Sequence, residues 1–403
     1  MNPSLNIVIL NRCFPPEIGA TGKVARNLGR VLAHRHYTTF LVGRPVGSDG
    51  RQPYALFRQE RQEGFTIERL GSTGFTHRSM TGRFVNYLSY LCLALFRSLT
   101  LRPKPDVVIA MTDPPLTCVV GRLTARFRKC RFVYNIQDLH PDMALAAGLV
   151  RPGWVVAMWE RLHRWALRRG DLIVVPGEDM KERLVSKGVP VRSIAVVRNG
   201  SEPIGPPSNG DHPVVKAIRR NYPFVLVHAG NLGFAGSWET IIEAARLLTD
   251  ENVGIVFVGD GTVRPRLESH TKGLPHVQFL NYWPQQDLPY VLEAGDLYIV
   301  TLKRGLEGLV VPSKTYPILM SGRPILAITP EESDISRLVK ESQCGLIADP
   351  DDAASIVRSV LFARDHPEEI SKMASRARDL GQQFNRNALA KEFVQAIEHV
   401  ASV

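Results

Sequence analysis

Nothing in this 403-residue chain supplies a disulfide framework or an evident metal cage. Its five cysteines, Cys13, Cys92, Cys118, Cys130 and Cys344, are an odd number, with no C-x-x-C pair and no histidines beside them at zinc spacing. His140 has no second histidine four residues on, so it does not read as a metal ligand. A reducing, cytosolic setting is the expected one. The chain also lacks an apolar run able to cross a bilayer. The longest, Phe84 to Phe96, has 13 residues with Asn86 and Ser89 inside it, against about 20 needed. The first residues carry no basic segment followed by a long apolar stretch, so export is not expected. There is no Walker A loop: Glu17 and Val24 stand where that motif needs a glycine and a serine or threonine. Gly19 and Gly22 lack the first glycine of a dinucleotide-binding turn. No repeat, low-complexity tract or heptad pattern is present. The sequence pI is near 9.6, yet there is no nucleic-acid-binding motif and no aromatic-basic platform, so nucleic acid is not an expected partner.

What remains is the composition of a globular protein, 44% hydrophobic and 22% charged, in a chain long enough for two cores. The net charge of +11 is unevenly spread. Residues 1–200 hold 30 Lys and Arg against 14 Asp and Glu, leaving 20 against 25 for the rest, or +16 and −5. Positive residues recur at helical spacing, as in Lys23, Arg26 and Arg30 or Arg161, Arg164 and Arg168, and Arg122, Arg126, Arg128, Lys129 and Arg131 are densely grouped. Such faces are either solvated helix surfaces or attractors of anionic headgroups. The run Phe84 to Phe96, bracketed by Arg83 and Arg97, reads either as a buried helix or as an interfacial one whose flanking arginines meet lipid phosphates.

Short β-branched runs alternate with amphipathic segments in both halves, predicting two parallel sheets built from βαβ units. The expected strands are 5–10, 39–43, 66–70, 107–111, 132–136, 172–176 and 194–197, then 224–229, 254–259, 277–281, 297–302, 324–328 and 345–347. The Pro-, Gly- and Ser-rich stretch Asn199 to Pro213 marks a linker. This sets an N-terminal domain over 1–200, joined by a last helix at 385–403, and a C-terminal domain over 201–384.

Three places break this pattern with chemistry. In EGLVVPSKTYPILMSGRPILA, Glu307, Ser313 and Lys314 interrupt an apolar run between two strands, where ligand sites of open α/β sheets lie. Lys314 stands at the start of a helix predicted over 315–321, a place that favours an anion such as a diphosphate; an ordinary solvated helix start is the other reading. Strand 224–229 runs into Gly230-Asn231-Leu232-Gly233 and strand 254–259 into Gly259-Asp260-Gly261. Each turn alone is a tight turn, but together with Ser313 and Lys314 they outline a nucleotide pocket. The turn containing Gly19 and Gly22 precedes a helix predicted over 24–34, so its backbone N–H groups are free to approach a phosphate or sugar. Finally, Asp138 in NIQDLHPD, after a strand, either takes a proton from or holds an incoming hydroxyl, or caps the next helix.

The segments PPEIGATGKVARNLGRVLA, NIQDLHPDMALAAGL, GDLIVVPGEDMKERLVSKGV, HAGNLGF, VFVGDGTVRPRLE and VVPSKTYPILMSGRPILA, in this order, resemble family 4 glycosyltransferases over nearly the whole chain. The similarity is to the bacterial branch that assembles capsule, O-antigen and exopolysaccharide, with its N-acetylfucosaminyl and colanic-acid transferases. The resemblance implies an α/β GT-B fold, two Rossmann-like domains with parallel sheets facing across a cleft. It also implies a retaining, metal-independent transferase with no cofactor, its nucleotide-diphosphate sugar donor, expected to be UDP-linked, being a substrate. By resemblance, the C-terminal half holds the nucleotide through Gly230, Asn231, Gly259, Asp260, Gly261, Ser313 and Lys314, and Gly19 and Gly22 approach the sugar phosphates. The expected acceptor is a lipid-linked saccharide; the basic faces of the first half add the expectation of a protein peripheral on the inner face of the plasma membrane, with an anionic membrane surface as a further partner.

Lys314 and the Gly230 turn are assigned to the diphosphate, Glu307 to donor hydroxyls and Asp138 to acceptor or sugar hydroxyls. Three departures from the family pattern stand out. The ribose-binding Glu aligns with Pro317, and the first Glu of the pair falls at Leu309. The diphosphate-clasping Arg and Lys align with Asn231 and Gly236, leaving Lys314, Lys303 and Arg304 as substitutes. A family histidine aligns with Gln137. A nucleotide-sugar 2-epimerase of the same architecture, or an inactive transferase serving as an assembly partner, are the alternatives.

Overall fold

The computed structural model describes residues 4–17, 20–45, 55–75, 80–205, 212–220 and 222–402. The chain divides into two compact units, Met1–Arg198 with Asn387–Val403, and Asn199–Arg386.

Unit 1 runs β1 (Asn6–Leu10), α1 (Ala20–Ala33), β2 (Tyr37–Val42), β3 (Phe57–Gln62), β4 (Phe65–Leu70), α2 (Met80–Thr100), β5 (Val107–Ala110), α3 (Thr117–Arg128), β6 (Arg131–Asn135), α4 (Asp142–Ala146), α5 (Trp154–Leu167), β7 (Leu172–Val175), α6 (Glu178–Ser186) and β8 (Ile194–Val196). Its sheet order is β3-β4-β2-β1-β5-β6-β7-β8, parallel except for the edge strand β3. Fully buried runs such as VVIA in β5 and LIVV in β7 are what a parallel sheet covered on both faces demands. Ile7, Ile9, Val107 and Ile109 pack with Ala25, Leu28 and Leu32 from the α1 side. Their alternating neighbour Ala110 points the other way, where a β-carbon on Gly121 of α3 would fall 3.1 Å from it. The antiparallel β3 was not foreseen, because its sequence FRQERQ alternates no apolar residues; it earns its strand by pairing along β4.

Unit 2 runs α7 (Pro213–Arg219), β9 (Phe224–Ala229), α8 (Trp238–Leu247), β10 (Val253–Val258), α9 (Arg264–His270), β11 (Val277–Leu280), α10 (Leu288–Ala294), β12 (Leu297–Thr301), α11 (Thr315–Met320), β13 (Ile325–Ile328), α12 (Asp334–Ser342), β14 (Gly345–Ala348), α13 (Ala353–Asp365) and α14 (Pro367–Gln382), and is followed by α15 (Arg386–Ser402). The sheet is wholly parallel, ordered β11-β10-β9-β12-β13-β14. The strand sequence reverses direction between β9 and β12, which opens a crevice at their carboxyl ends. Side chains of α15, Phe393, Val394 and Ile397, pack with the core of unit 1. In unit 1 the corresponding reversal lies between β1 and β5. Each sheet thus offers one edge where a ligand site is favoured.

Candidate active site

In unit 2 the two glycine turns lock into each other at this edge. Gly230 N–H donates to Val258 O at 2.9 Å, Gly259 N–H to Leu280 O at 2.9 Å and Leu232 N–H to Asp260 O at 2.9 Å. Gly230 and Gly259 both have φ of +145°, a region that L side chains avoid. A β-carbon on Gly259 would lie 2.0 Å from Gly230 O, and one on Gly261 would lie 2.2 Å from Leu232 O and 2.7 Å from Asn231 Oδ1. The backbones therefore meet at a distance only glycine permits. Asp260 Oδ1 accepts from Gly261 N–H at 2.8 Å, which ties the second turn internally.

Lys314, at the mouth of α11, reaches back across this edge. A β-carbon on Gly230 would meet Lys314 Cε at 3.4 Å and Nζ at 3.6 Å. The amine lies 3.0 Å from His228 Nε2 on β9. Burial, followed by the nearby Lys314, pulls His228 well below its ordinary value, so its ring is neutral and accepts from the amine. Burial alone pulls Lys314 down to about 7, because among the described residues no carboxylate sits close enough to hold its charge. A partly desolvated cationic group with no counter-ion among the described residues favours an anion beside it. Among the described residues no ion pair reaches Lys314, and Glu307 is not brought to it.

The structure thus brings Gly230, Asn231, Gly259, Asp260, Gly261 and Lys314 to one edge. Ser313 is exposed beside Lys314, and Glu307 is partly buried in the loop after β12. Two of the departures from the family pattern, Gly236 and Pro317, find physical reasons. Gly236 is buried, and a β-carbon there would fall 2.5 Å from the Trp238 ring, so no basic side chain fits. Arg304, a candidate substitute, is instead engaged by Asp349 at 3.1 Å and Asp351 at 2.8 Å, and the exposed Lys303 bonds through its backbone, to Ala235 O and Leu306 N–H, with no side-chain pair among the described residues. Pro317 occupies the first turn of α11, where a missing N–H costs the helix no hydrogen bond.

Sequence reasoning missed His228, which reads as one more strand residue, and Tyr282. The exposed Tyr282 stands where a β-carbon on Gly259 would touch its ring at 3.4 Å. Arg264 was quoted within a motif but given no role. Its guanidinium donates to Gly259 O and to Asn281 Oδ1, both at 2.7 Å, bracing the turn.

Unit 1 presents a different chemistry. Arg12, buried after β1, pairs with Glu17 at 3.0 Å and Asp113 at 3.4 Å. Burial opposes its charge, yet Asp113 and Glu17 hold the guanidinium above its ordinary value. Asp113 also accepts from Cys13 N–H at 2.9 Å, and burial raises its carboxyl against the pull of Arg12. On the neighbouring strand end, burial and then the Asp113 charge push Asp138 up to about 6. Asp138 does not cap the next helix: α4 is preceded by Pro141 and has no side-chain cap. His140 stacks on Trp159, and burial lowers it to about 4, leaving it neutral near pH 7. Gly22 is buried in the first turn of α1, where a β-carbon would fall 3.1 Å from Cys13 O, so packing alone accounts for a glycine there. Gly19 lies outside the described residues. Among the described residues no cluster of three His, Cys, Asp or Glu is placed to hold a metal ion.

The comparisons with known proteins converge on this architecture. Residues 19–200 match the model of a glycosyl transferase 4-like domain and residues 223–364 that of glycosyl transferases group 1. The chain is 25% identical over 317 residues to WbjE of Pseudomonas aeruginosa, named a probable glycosyltransferase, covering 77% of this chain and 78% of that one. It is 28% identical over 338 residues to WcaI of Escherichia coli, whose name assigns it to colanic acid biosynthesis as a glycosyl transferase, covering 79% and 82%. The fold is similar to that of Anabaena HepE crystallised with UDP and glucose, with a TM-score of 0.73 at 15% identity over 98% of this chain and 100% of that one. It is also similar to sucrose-phosphate synthase from Thermosynechococcus elongatus, with a TM-score of 0.76 at 14% identity over 99% of each. Two doubly wound parallel sheets and two family matches, one on each unit, lead to one conclusion: the chain belongs to the family 4-type glycosyltransferases of GT-B fold.

Proposed function

We propose that this transferase moves a sugar from a UDP-linked donor to a lipid-linked saccharide acceptor in the assembly of a surface polysaccharide, with retention at the anomeric carbon and without a metal. The observation that carries the reading is the partly buried Lys314 amine, met by no carboxylate among the described residues and lying against the Gly230 turn. The UDP and glucose bound in HepE support the choice of donor, and the name of WcaI supports the polysaccharide setting.

In this reading the bond between the anomeric carbon and the diphosphate oxygen breaks, and its electron pair leaves with UDP. Protonated Lys314, held against the Gly230 turn, stabilises that developing charge, the role such a preorganised group plays best where water is excluded. Glu307 and Ser313 are assigned to the donor, and Tyr282 to its base. The acceptor oxygen bonds to the anomeric carbon and its proton passes to the departing phosphate oxygen. Asp138, ionised above about pH 6, holds an acceptor or sugar hydroxyl.

The test is a donor screen with membrane extract as the source of acceptor, followed by NMR of the new anomeric centre. Transfer from a UDP-sugar with retained configuration supports the reading. An inverted product would remove the retaining step, and isomerised UDP-sugar without acceptor would instead make the protein an epimerase. Absence of nucleotide-sugar binding by calorimetry would leave only the assembly-partner reading.

A further inference from the structure

Helix α2 is built inside out. Its buried stripe, spaced four residues apart, is Gly82, Asn86, Tyr90, Ala94 and Ser98, and includes three polar side chains, those of Asn86, Tyr90 and Ser98. Asn86 donates to Phe75 O at 2.9 Å and accepts from Phe75 N–H at 3.0 Å and Thr73 Oγ1 at 2.8 Å. Tyr90 Oη donates to Leu41 O at 2.8 Å, and Ser98 Oγ lies 2.6 Å from Thr124 Oγ1. Two residues further round, about 200° away, run Phe84, Leu88, Cys92 and Phe96, all exposed, with Phe84 at 67%. A helix facing water places its polar residues outward. Here the outward face is the apolar one, over roughly 18 Å of helix.

The neighbouring helices extend this face. α3 packs between α2 and α5 and exposes Phe127. α5 exposes Trp154, at 77%, and Met158 in its first turns. Further along the same helix its chemistry changes to Arg161, Arg164 and Arg168, which with Trp165 and Arg169 line an open groove of about 510 Å³. Arg164 is paired with Glu160 at 3.0 Å, whereas among the described residues no carboxylate pairs with Arg161, Arg168 or Arg169. Arg126 and Lys129 are exposed at the end of α3. Because each of these helices follows a parallel strand, their N-terminal ends, with Phe84 and Trp154, lie toward the carboxyl edge that carries Asp138. Arg97 contributes nothing to the rim: it is paired with the buried Glu68, which leaves it out of the lipid-phosphate role that one of its two sequence readings gave it.

We propose that the outer face of α2, α3 and α5 docks on an anionic phospholipid bilayer, with Phe84, Leu88, Phe96, Phe127, Trp154 and Met158 in the interface and the α5 and α3 basic residues against headgroup phosphates. This deepens the proposed function, since it rests on the acceptor being lipid-linked. An apolar stripe rimmed by unpaired cations matches the chemistry of an anionic interface, where apolar burial and charge attraction add. A second copy of the chain would bring the same cations against each other.

The test is co-sedimentation of the full chain with vesicles of phosphatidylglycerol and phosphatidylethanolamine, and with phosphatidylcholine vesicles, alongside light scattering and calorimetry with UDP. Binding to the anionic vesicles should exceed that to phosphatidylcholine. It should fall about tenfold or more in Phe84→Ala/Leu88→Ala/Trp154→Ala and again in Arg161→Glu/Arg168→Glu. UDP affinity and melting temperature should hold in both variants, because the substituted side chains are exposed. Equal binding to both vesicle types, binding unaffected by either variant, or a dimer that the apolar variant dissociates would overturn the proposal. Loss of UDP affinity in the unaltered chain would strike the donor reading while leaving vesicle binding intact, so the two failures are separable.

Discussion

At the switch point of unit 1 the buried Arg12 is answered by two carboxylates, Glu17 and Asp113, whereas at that of unit 2 the Lys314 amine meets a neutral imidazole and, among the described residues, no carboxylate. The first cation is neutralised within its own unit and holds loop ends together. The second is left with an unfilled electrostatic demand, the condition expected of a group that waits for a substrate anion. The glycines differ in the same sense. Gly22 relieves one close approach to a carbonyl, while Gly230 and Gly259 let two strand ends interlock at positive φ. Similar sheet edges thus become a structural clasp with an acidic neighbour in one unit and, in the proposed function, an anion cradle in the other.

The strongest way to break this contrast is Lys314→Ala, which should lower kcat/KM for transfer by about 10² to 10³ while leaving the melting temperature unchanged or raised. Unchanged turnover would show that the cradle has no catalytic charge. Next in size, Gly259→Ala should destabilise unit 2 by roughly 3 kcal/mol or more, since its β-carbon has no room and its φ is unfavourable. Gly22→Ala should cost unit 1 only about 1 kcal/mol. Denaturant unfolding of the two variants measures the difference, and equal losses would erase it.

The pH dependence sharpens the contrast further. Lys314 titrates near 7 in the free protein, and a bound diphosphate raises that value, so UDP affinity should fall by up to about tenfold per pH unit above 7. Calorimetry in buffers of different ionisation enthalpy should show proton uptake on binding. The sign for folding is opposite: between about 7 and 10.4 the unfolded chain holds the extra proton, so the stability contribution of Lys314 rises with pH. In unit 1, Asp138→Asn should lower turnover about tenfold and remove an acid limb near pH 6 from the rate profile. A limb that survives belongs to another group. Smallest of all, Arg304→Ala should leave donor affinity within about twofold, because its exposed pairs with Asp349 and Asp351 contribute little.

The paired parallel sheets were readable because strands buried on both faces show as β-branched runs between turn residues, as in Val253–Val258 and Leu297–Thr301. Glycine turns after β9 and β10, and Lys314 after β12, were readable as interruptions at strand ends. β3 was not, since an edge strand of charged residues has no hydrophobic signature. Nor was the clasp, because Arg12 and Asp113 lie about a hundred positions apart and their charges say nothing of which partner each will find. The inverted polarity of α2 was concealed for a similar reason: Asn86 looked like a polar flaw in an apolar run until its hydrogen bonds placed it inward.

By itself, the order of apolar runs, turns and breaks determined two α/β units and the strand ends where chemistry would gather, because periodicity and glycine conformation are local properties of the chain. Only the tertiary structure decided which charges are compensated. It set Lys314 beside a neutral His228, Arg12 between two carboxylates and Phe84 toward the outside. Each of those outcomes depends on desolvation and on contacts between distant segments, which no local pattern encodes.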